Sequence, residues 1–140
     1  MKIALDWHDT CVYLEDDEPN YECPESMARA RPNHPVLDQV RRLMEKNHEF
    51  VIITGARECT RHVIEAQCEI YLGTVLPTYC QQTWNGWDAL SAFKKASMKA
   101  SNAALLVDDQ LLMRDAVREQ GAAALTPQQF AAGYLPELIA

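Results

Sequence analysis

Two rhythms of apolar residues alternate along this chain. The first is the short unbroken run: Ile3-Ala4-Leu5, Phe50-Val51-Ile52-Ile53 and Ala103-Ala104-Leu105-Leu106-Val107. Unbroken runs of this length mark strands covered on both faces. The second is three-and-four spacing, which gathers apolar side chains on one face of a helix. Val36, Leu37, Val40, Leu43 and Met44 form such a face, and Pro35 suits a first-turn position because its missing N–H would have no partner there. A second helix is predicted over about 60–71, through Val63, Ile64, Gln67 and Ile70. A third carries Trp87, Leu90, Phe93 and Met98. A fourth carries Leu112, Ala116 and Val117 and is closed by Gly121. Residues 75–79 and 122–125 read as two further short strands. Strands alternating with helices of this length build βαβ units and a parallel sheet. The pattern predicts one three-layer α/β/α, Rossmann-like domain over residues 1–140.

One segment breaks the rhythm. Residues 15–24 are acidic, hold two prolines and read as an exposed loop. The whole chain is acidic as well, with 20 Asp and Glu against 13 Lys and Arg and a net charge of −7. Such a surface repels phosphate backbones, so extended nucleic-acid binding is disfavoured, though a local basic pocket is not. No apolar run approaches the length of a membrane span. The first apolar run meets Asp6 after three residues, too soon for a secretory leader. The five cysteines are Cys11, Cys23, Cys59, Cys68 and Cys80. None are paired as C-x-x-C, which argues against structural zinc and for reduced thiols in a cytoplasmic protein.

The chemistry lies where the apolar runs end. The first ends in Asp6-Trp7-His8-Asp9-Thr10, the second in Thr54-Gly55-Ala56-Arg57 and the third in Asp108-Asp109. In parallel α/β sheets, ligands bind at the carboxyl ends of the strands. A lone carboxylate there commonly caps the following turn. Three strands ending this way in chain order point instead to a shared site. Two carboxylates 4 Å apart repel by about 4 kcal/mol at an effective dielectric of about 20, so protons or a cation must be held among them. An all-oxygen donor set suits Mg²⁺ with a substrate phosphate. Thr54 adds a hydroxyl, and Arg57 a fork for phosphate oxygens.

In order, spacing and strand context, these motifs resemble the haloacid dehalogenase-like (HAD) superfamily of phosphohydrolases. Its pattern is an apolar strand leading to D-x-D-x-T, a strand ending in Thr or Ser, a Lys, and a strand ending in an acidic pair. The resemblance spans residues 2 to about 125. It implies a Mg²⁺-dependent phosphatase in which Asp6 is the nucleophile that becomes an aspartyl-phosphate. Asp6, the backbone carbonyl of His8, Asp108 and Asp109 would form the metal shell. Thr54 would hold the transferring phosphoryl oxygens, with Thr10, Gly55 and Arg57 as further phosphate contacts. The required Lys should come from the third helix, which offers Lys94, Lys95 and Lys99; Lys94 is the choice. The stretch between Asp6 and Thr54 leaves no room for a full cap domain. A capless relative would act on a phosphorylated substrate such as a nucleotide, a nucleic-acid end or a phosphoprotein. The string Ile53-Thr54-Gly55-Ala56-Arg57-Glu58 is similar to the corresponding segment of polynucleotide phosphatases.

The chain departs from the pattern at His8, where the family's phosphatases carry a second Asp as general acid and base. A His can do that work, and Asp9 is an alternative if the turn is shifted. Asp9 stands where the family usually has Gly. Asp6-Trp7-His8-Asp9-Thr10 is also similar to the phosphonatase form D-W-A-G-T, but that activity needs a cap-borne Lys. The His8-Asp9 pair resembles HD phosphohydrolases, which are all-helical, whereas this pair ends a strand. His34, His48 and His62 show no ligand spacing, and neither a dinucleotide nor a P-loop motif is present. Trp84 and Trp87, flanking the turn signal Asn85-Gly86, are expected to be packed inside, the alternative being that they stack on a base or form the edge of a lid. The rival readings are a HAD-like binding or regulatory module with impaired catalysis, and a flavodoxin-like binding domain without phosphoryl chemistry.

Overall fold

In the computed structural model, which describes residues 1–14 and 24–136, strands and helices alternate as the apolar rhythm requires. The order is β1 (Lys2–Leu5), β2 (Val12–Tyr13), α1 (Pro24–Ala28), β3 (Arg31–Pro32), α2 (His34–Glu45) and β4 (Glu49–Arg57). A 3₁₀ turn (Glu58–Thr60) leads into α3 (Arg61–Leu72), followed by β5 (Thr78–Gln81), α4 (Trp87–Ser101), β6 (Leu105–Val107), α5 (Leu111–Glu119), β7 (Ala123–Leu125) and α6 (Pro127–Ala131). The acidic segment lies outside the described residues except for Pro24, which opens α1 rather than closing a loop.

Five strands form one parallel sheet in the order β5-β4-β1-β6-β7. Successive side chains of a strand point to opposite faces, and the core divides accordingly. Ile3, Leu5, Phe50, Ile52, Leu105 and Val107 pack with Leu37 and Val40 of α2, Ile64 of α3 and Phe130 of α6. Ala4, Val51, Ile53 and Leu106 pack with Leu90 and Met98 of α4 and Met113 and Val117 of α5. This is the three-layer α/β/α architecture. No helix among the described residues is long and apolar enough to cross a membrane.

Two elements depart from the sequence expectation. β5 starts at Thr78 and not near 75, because Pro77 has no N–H to give a ladder; its carbonyl still accepts from Ile52 N at 2.8 Å. β4 continues past Thr54 to Arg57, and its register against β5 jumps from Thr54↔Cys80 to Arg57↔Gln81. That bulge leaves Gly55 and Ala56 unmatched, and it turns this strand end outward. The antiparallel ribbon of β2 and β3 was not predicted. Asn33 fastens it, donating from its backbone N to Cys11 O and from Nδ2 to Thr10 O, each at 2.8 Å.

The topology fixes where a ligand can sit. From β1 the chain steps outward to β4 and β5, then crosses back over the sheet through α4 to β6 on the other side of β1. The direction of winding reverses between β1 and β6, and the crevice opens at the carboxyl ends of those two strands. Leu5 pairs with Val107, so Asp6 and Asp108 each lie one residue beyond a matched pair.

Candidate active site

Past β1 the backbone keeps its two-residue alternation for three more positions. Asp6 and His8 line a cavity of about 420 Å³ at the strand ends. Trp7 points the other way and is fully buried. Its Nε1 donates to Gln67 Oε1 at 2.9 Å, and Gln67 Nε2 donates to Met27 O at 2.7 Å. This anchor ties the first strand end to α3 and α1. The chain then turns sharply. Cys11 N donates to Trp7 O at 2.8 Å and Asp9 N to Val12 O at 2.7 Å, with Asp9 at φ 63°. That left-handed backbone is where a glycine would be free of strain, and Asp is among the side chains that tolerate it.

Lys94 reaches the same point from α4. The core-facing residues of that helix are Leu90, Lys94, Ser97, Met98 and Ser101, so Lys94 occupies a position that spacing would give to an apolar side chain. It is 2% exposed. Its Nζ donates to Asp6 Oδ1 at 3.0 Å and to Asp108 Oδ2 at 2.5 Å. Of the three candidate lysines it alone is buried; Lys95 is half-buried and Lys99 exposed. Asp108 is fully buried. Gln110 N donates to its Oδ1 at 2.9 Å, and Arg114 Nη1 donates to its carbonyl at 2.9 Å. Neither Gln110 nor Arg114 stands out in the sequence; only their placement at the start of α5 gives them this role.

The site holds more negative charge than it neutralises. Asp6, Asp108 and Asp109 each offer an oxygen, and these atoms lie within 4.8 Å of one another. One ammonium faces them. Burial pushes the Asp6 carboxyl up to about 7; Lys94 pulls it down and Asp109 pushes it further up. Burial likewise raises Asp108 to about 6, with Asp6 adding to the rise and Lys94 opposing it. Asp109 is raised too, again mainly by burial. Burial alone would lower Lys94, but Asp6 and Asp108 hold its ammonium above the ordinary lysine value. His8 moves the opposite way: burial, reinforced by Lys94, takes it down to about 4. Three carboxylates, mostly buried, that offer an all-oxygen donor set and face a single ammonium fit a hard divalent cation such as Mg²⁺.

The remaining expected residues separate into wall and support. Thr54, Gly55 and Arg57 line the cavity beside Asp9 and Asp109. Thr54 Oγ1 accepts from Ala56 N at 3.2 Å across the β4 bulge. Gly55 also lets α4 approach, since a Cβ there would meet the Leu90 methyls at 3.2 and 3.3 Å. Thr10, expected as a phosphate contact, is fully buried and off the cavity wall. Its hydroxyl donates to Asp6 Oδ2 at 3.3 Å, so it orients that carboxylate instead. Trp84 and Trp87 overturn the expectation of interior packing. They are 46% and 52% exposed and meet edge to face, with ring centroids 5.2 Å apart and planes at 89°. Both line the cavity.

Neither a family model nor a curated protein sequence matches the chain. Solved structures do. A chain in the structure of the Pnkp1/Rnl/Hen1 RNA repair complex is 17% identical, with a TM-score of 0.76 over 89% of this chain and 42% of its own length. A second structure of the Pnkp1/Rnl/Hen1 complex gives 16% identity and a TM-score of 0.71 over 89% and 45%. The present chain therefore spans less than half of those two. The D,D-heptose 1,7-bisphosphate phosphatase of B. bronchiseptica, complexed with magnesium and phosphate, is 15% identical with a TM-score of 0.64 over 97% of this chain and 88% of its own length. The strand order, the acidic strand ends and these likenesses agree: the chain has the haloacid dehalogenase-like fold, with a five-stranded parallel sheet between two layers of helices.

Proposed function

We propose that this chain is a Mg²⁺-dependent phosphohydrolase that cleaves phosphomonoesters through an aspartyl-phosphate on Asp6. The observation that carries the reading is the convergence of Asp6, Asp108 and Asp109 at the carboxyl ends of adjacent strands with Lys94 from α4, beside Thr54 and Arg57 in one cavity. The magnesium- and phosphate-bound phosphatase among the structural neighbours is consistent with it. Asp6, Asp108, Asp109 and the His8 carbonyl would hold the ion. When bound, Mg²⁺ supplies the positive charge that three carboxylates and a phosphate group need to share one small volume.

The residues divide the work as follows. Lys94 and Thr10 each bond one oxygen of Asp6 and fix the plane of the nucleophile. The Asp6 carboxylate attacks phosphorus, the bond from phosphorus to the substrate oxygen breaks, and that oxygen takes a proton from Asp9 or from water and leaves as the alcohol. Water then attacks the phosphorus of the aspartyl-phosphate, releasing inorganic phosphate and restoring Asp6. Thr54 and Arg57 bind the phosphoryl oxygens through both steps. With a pKa of about 4, His8 is neutral at pH 7. It suits the second step, as a base for water, better than the first, as an acid for the leaving group. Asp9, on the cavity wall, is the rival for that first role.

A phosphoester panel including para-nitrophenyl phosphate tests the reading. Turnover that needs Mg²⁺ and disappears in Asp6→Asn supports it. Mg²⁺ binding with no turnover of any phosphoester overturns it in favour of a binding or regulatory module, to which the neutral His8 lends weight.

A further inference from the structure

Two half-exposed tryptophans on the wall of a phosphate site are costly surface unless something covers them, and their setting narrows what that is. Trp84 and Trp87 flank Gly86, which precedes α4 at φ 92° and ψ 174°. That backbone is open to glycine and closed to other residues. Asn85 Nδ2 donates to Thr83 Oγ1 at 2.9 Å and holds the same turn. The aromatic pair is therefore set in place by the chain around it. Leu90 and Met113 continue the apolar wall, while Asp6, Thr54, Lys94 and Asp108 form the polar part. At about 420 Å³ the cavity has the size of a small-molecule site.

We infer that Trp84 and Trp87 form a stacking platform for the base of a nucleoside monophosphate whose phosphate lies at Asp6. This rests on the phosphohydrolase reading above and names its substrate class. Trp87 opens α4 and Lys94, seven residues on, sits on the same face; Lys94 Nζ bonds Asp6, so the indoles and the nucleophile line one cavity. A nucleotide presents both groups such a wall offers to meet, an aromatic base for the tryptophans and a phosphate for Asp6. The net charge of −7 favours a mononucleotide, with its single phosphate, over a polyanionic strand.

Adenosine 5′-monophosphate and ribose 5-phosphate both lose the phosphate from a primary 5′-oxygen of ribose, so the ratio of their kcat/KM values reads chiefly the base. Stacking on aromatic side chains is worth enough to give a ratio of roughly tenfold or more. Trp84→Ala and Trp87→Ala should bring the ratio towards one mainly by raising the nucleotide KM, and Trp→Phe at either position should retain most of it. In Asp6→Asn, adenosine 5′-monophosphate should quench tryptophan fluorescence at concentrations where ribose 5-phosphate does not. A wild-type ratio near one, or equal quenching by both compounds, overturns the platform. A higher kcat/KM for O-phosphotyrosine or for a terminally phosphorylated oligonucleotide overturns the assignment to mononucleotides. If no phosphoester is turned over, the phosphohydrolase reading fails, and the Asp6→Asn titration still decides whether the tryptophans bind a base.

Discussion

Lys94 shows how much a single buried charge can organise. A lysine in the core-facing row of an amphipathic helix is costly unless carboxylates meet it, and here two do, from strands that reach the site independently of α4. Removing one partner of such a group leaves the others buried and unpaired, which typically costs about 3–5 kcal/mol. Lys94→Met is expected to lose stability on that scale in urea denaturation at pH 8 without metal. Mg²⁺ should restore more stability to the variant than it adds to the parent, because it replaces the missing charge. Equal effects of Mg²⁺ on both proteins would show that Lys94 and the ion do not share the same carboxylates. Among Lys94, Lys95 and Lys99, the selection was legible only in part. Lys94 follows Leu90 by four residues and precedes Met98 by four, which puts it on the buried stripe. Nothing in the chain announces that a carboxylate waits there.

At the scale of elements, legibility followed the strength of the local pattern. β1, β4 and β6 were readable because an unbroken apolar run between turns has few alternatives, and α2 because its spacing and Pro35 agree. The ribbon of β2 and β3 was not, since two-residue strands carry no periodicity and owe their pairing to Asn33 across some twenty residues. The bulge in β4 was hidden for a similar reason: the register shift is a property of the pair with β5. The tryptophans were misjudged because aromatic residues are on average well buried, and only the turn before α4 reveals that these two face a cavity. That turn can be tested directly. Gly86→Ala meets no atom within 4 Å, so any loss comes from forcing a side chain into the φ 92° backbone, expected at about 1–3 kcal/mol. The paired-indole signal in near-ultraviolet circular dichroism should weaken with it. Loss of stability with that signal intact would mean that α4 loses its start without moving the pair.

Taken as one molecule, the protein has its least favourable charge where its fold converges, and the response to pH should show it. The Asp6 carboxyl stands at about 7 against an ordinary 3.8, and Asp108 at about 6. Each binds a proton more tightly folded than unfolded, so each favours the folded state less as pH rises from about 4 to 7. His8 runs the other way. Its neutral form is favoured in the fold, with a pKa of about 4 against 6.5, so it favours the folded state more as pH rises between about 4 and 6.5. Two carboxyls outweigh one imidazole, and without metal the net stability should fall across this range. His8→Asn removes the opposing imidazole and should steepen the fall. Mg²⁺ takes the place of the retained protons, so saturating ion should flatten the fall, adding little near pH 5 and most above pH 7. Thermal melts at several pH values, with chelator and with Mg²⁺, read both effects. Parallel curves in the two conditions would place the ion elsewhere, and a stability that rises from pH 4 to 7 without metal would mean that the three carboxylates are not crowded as described.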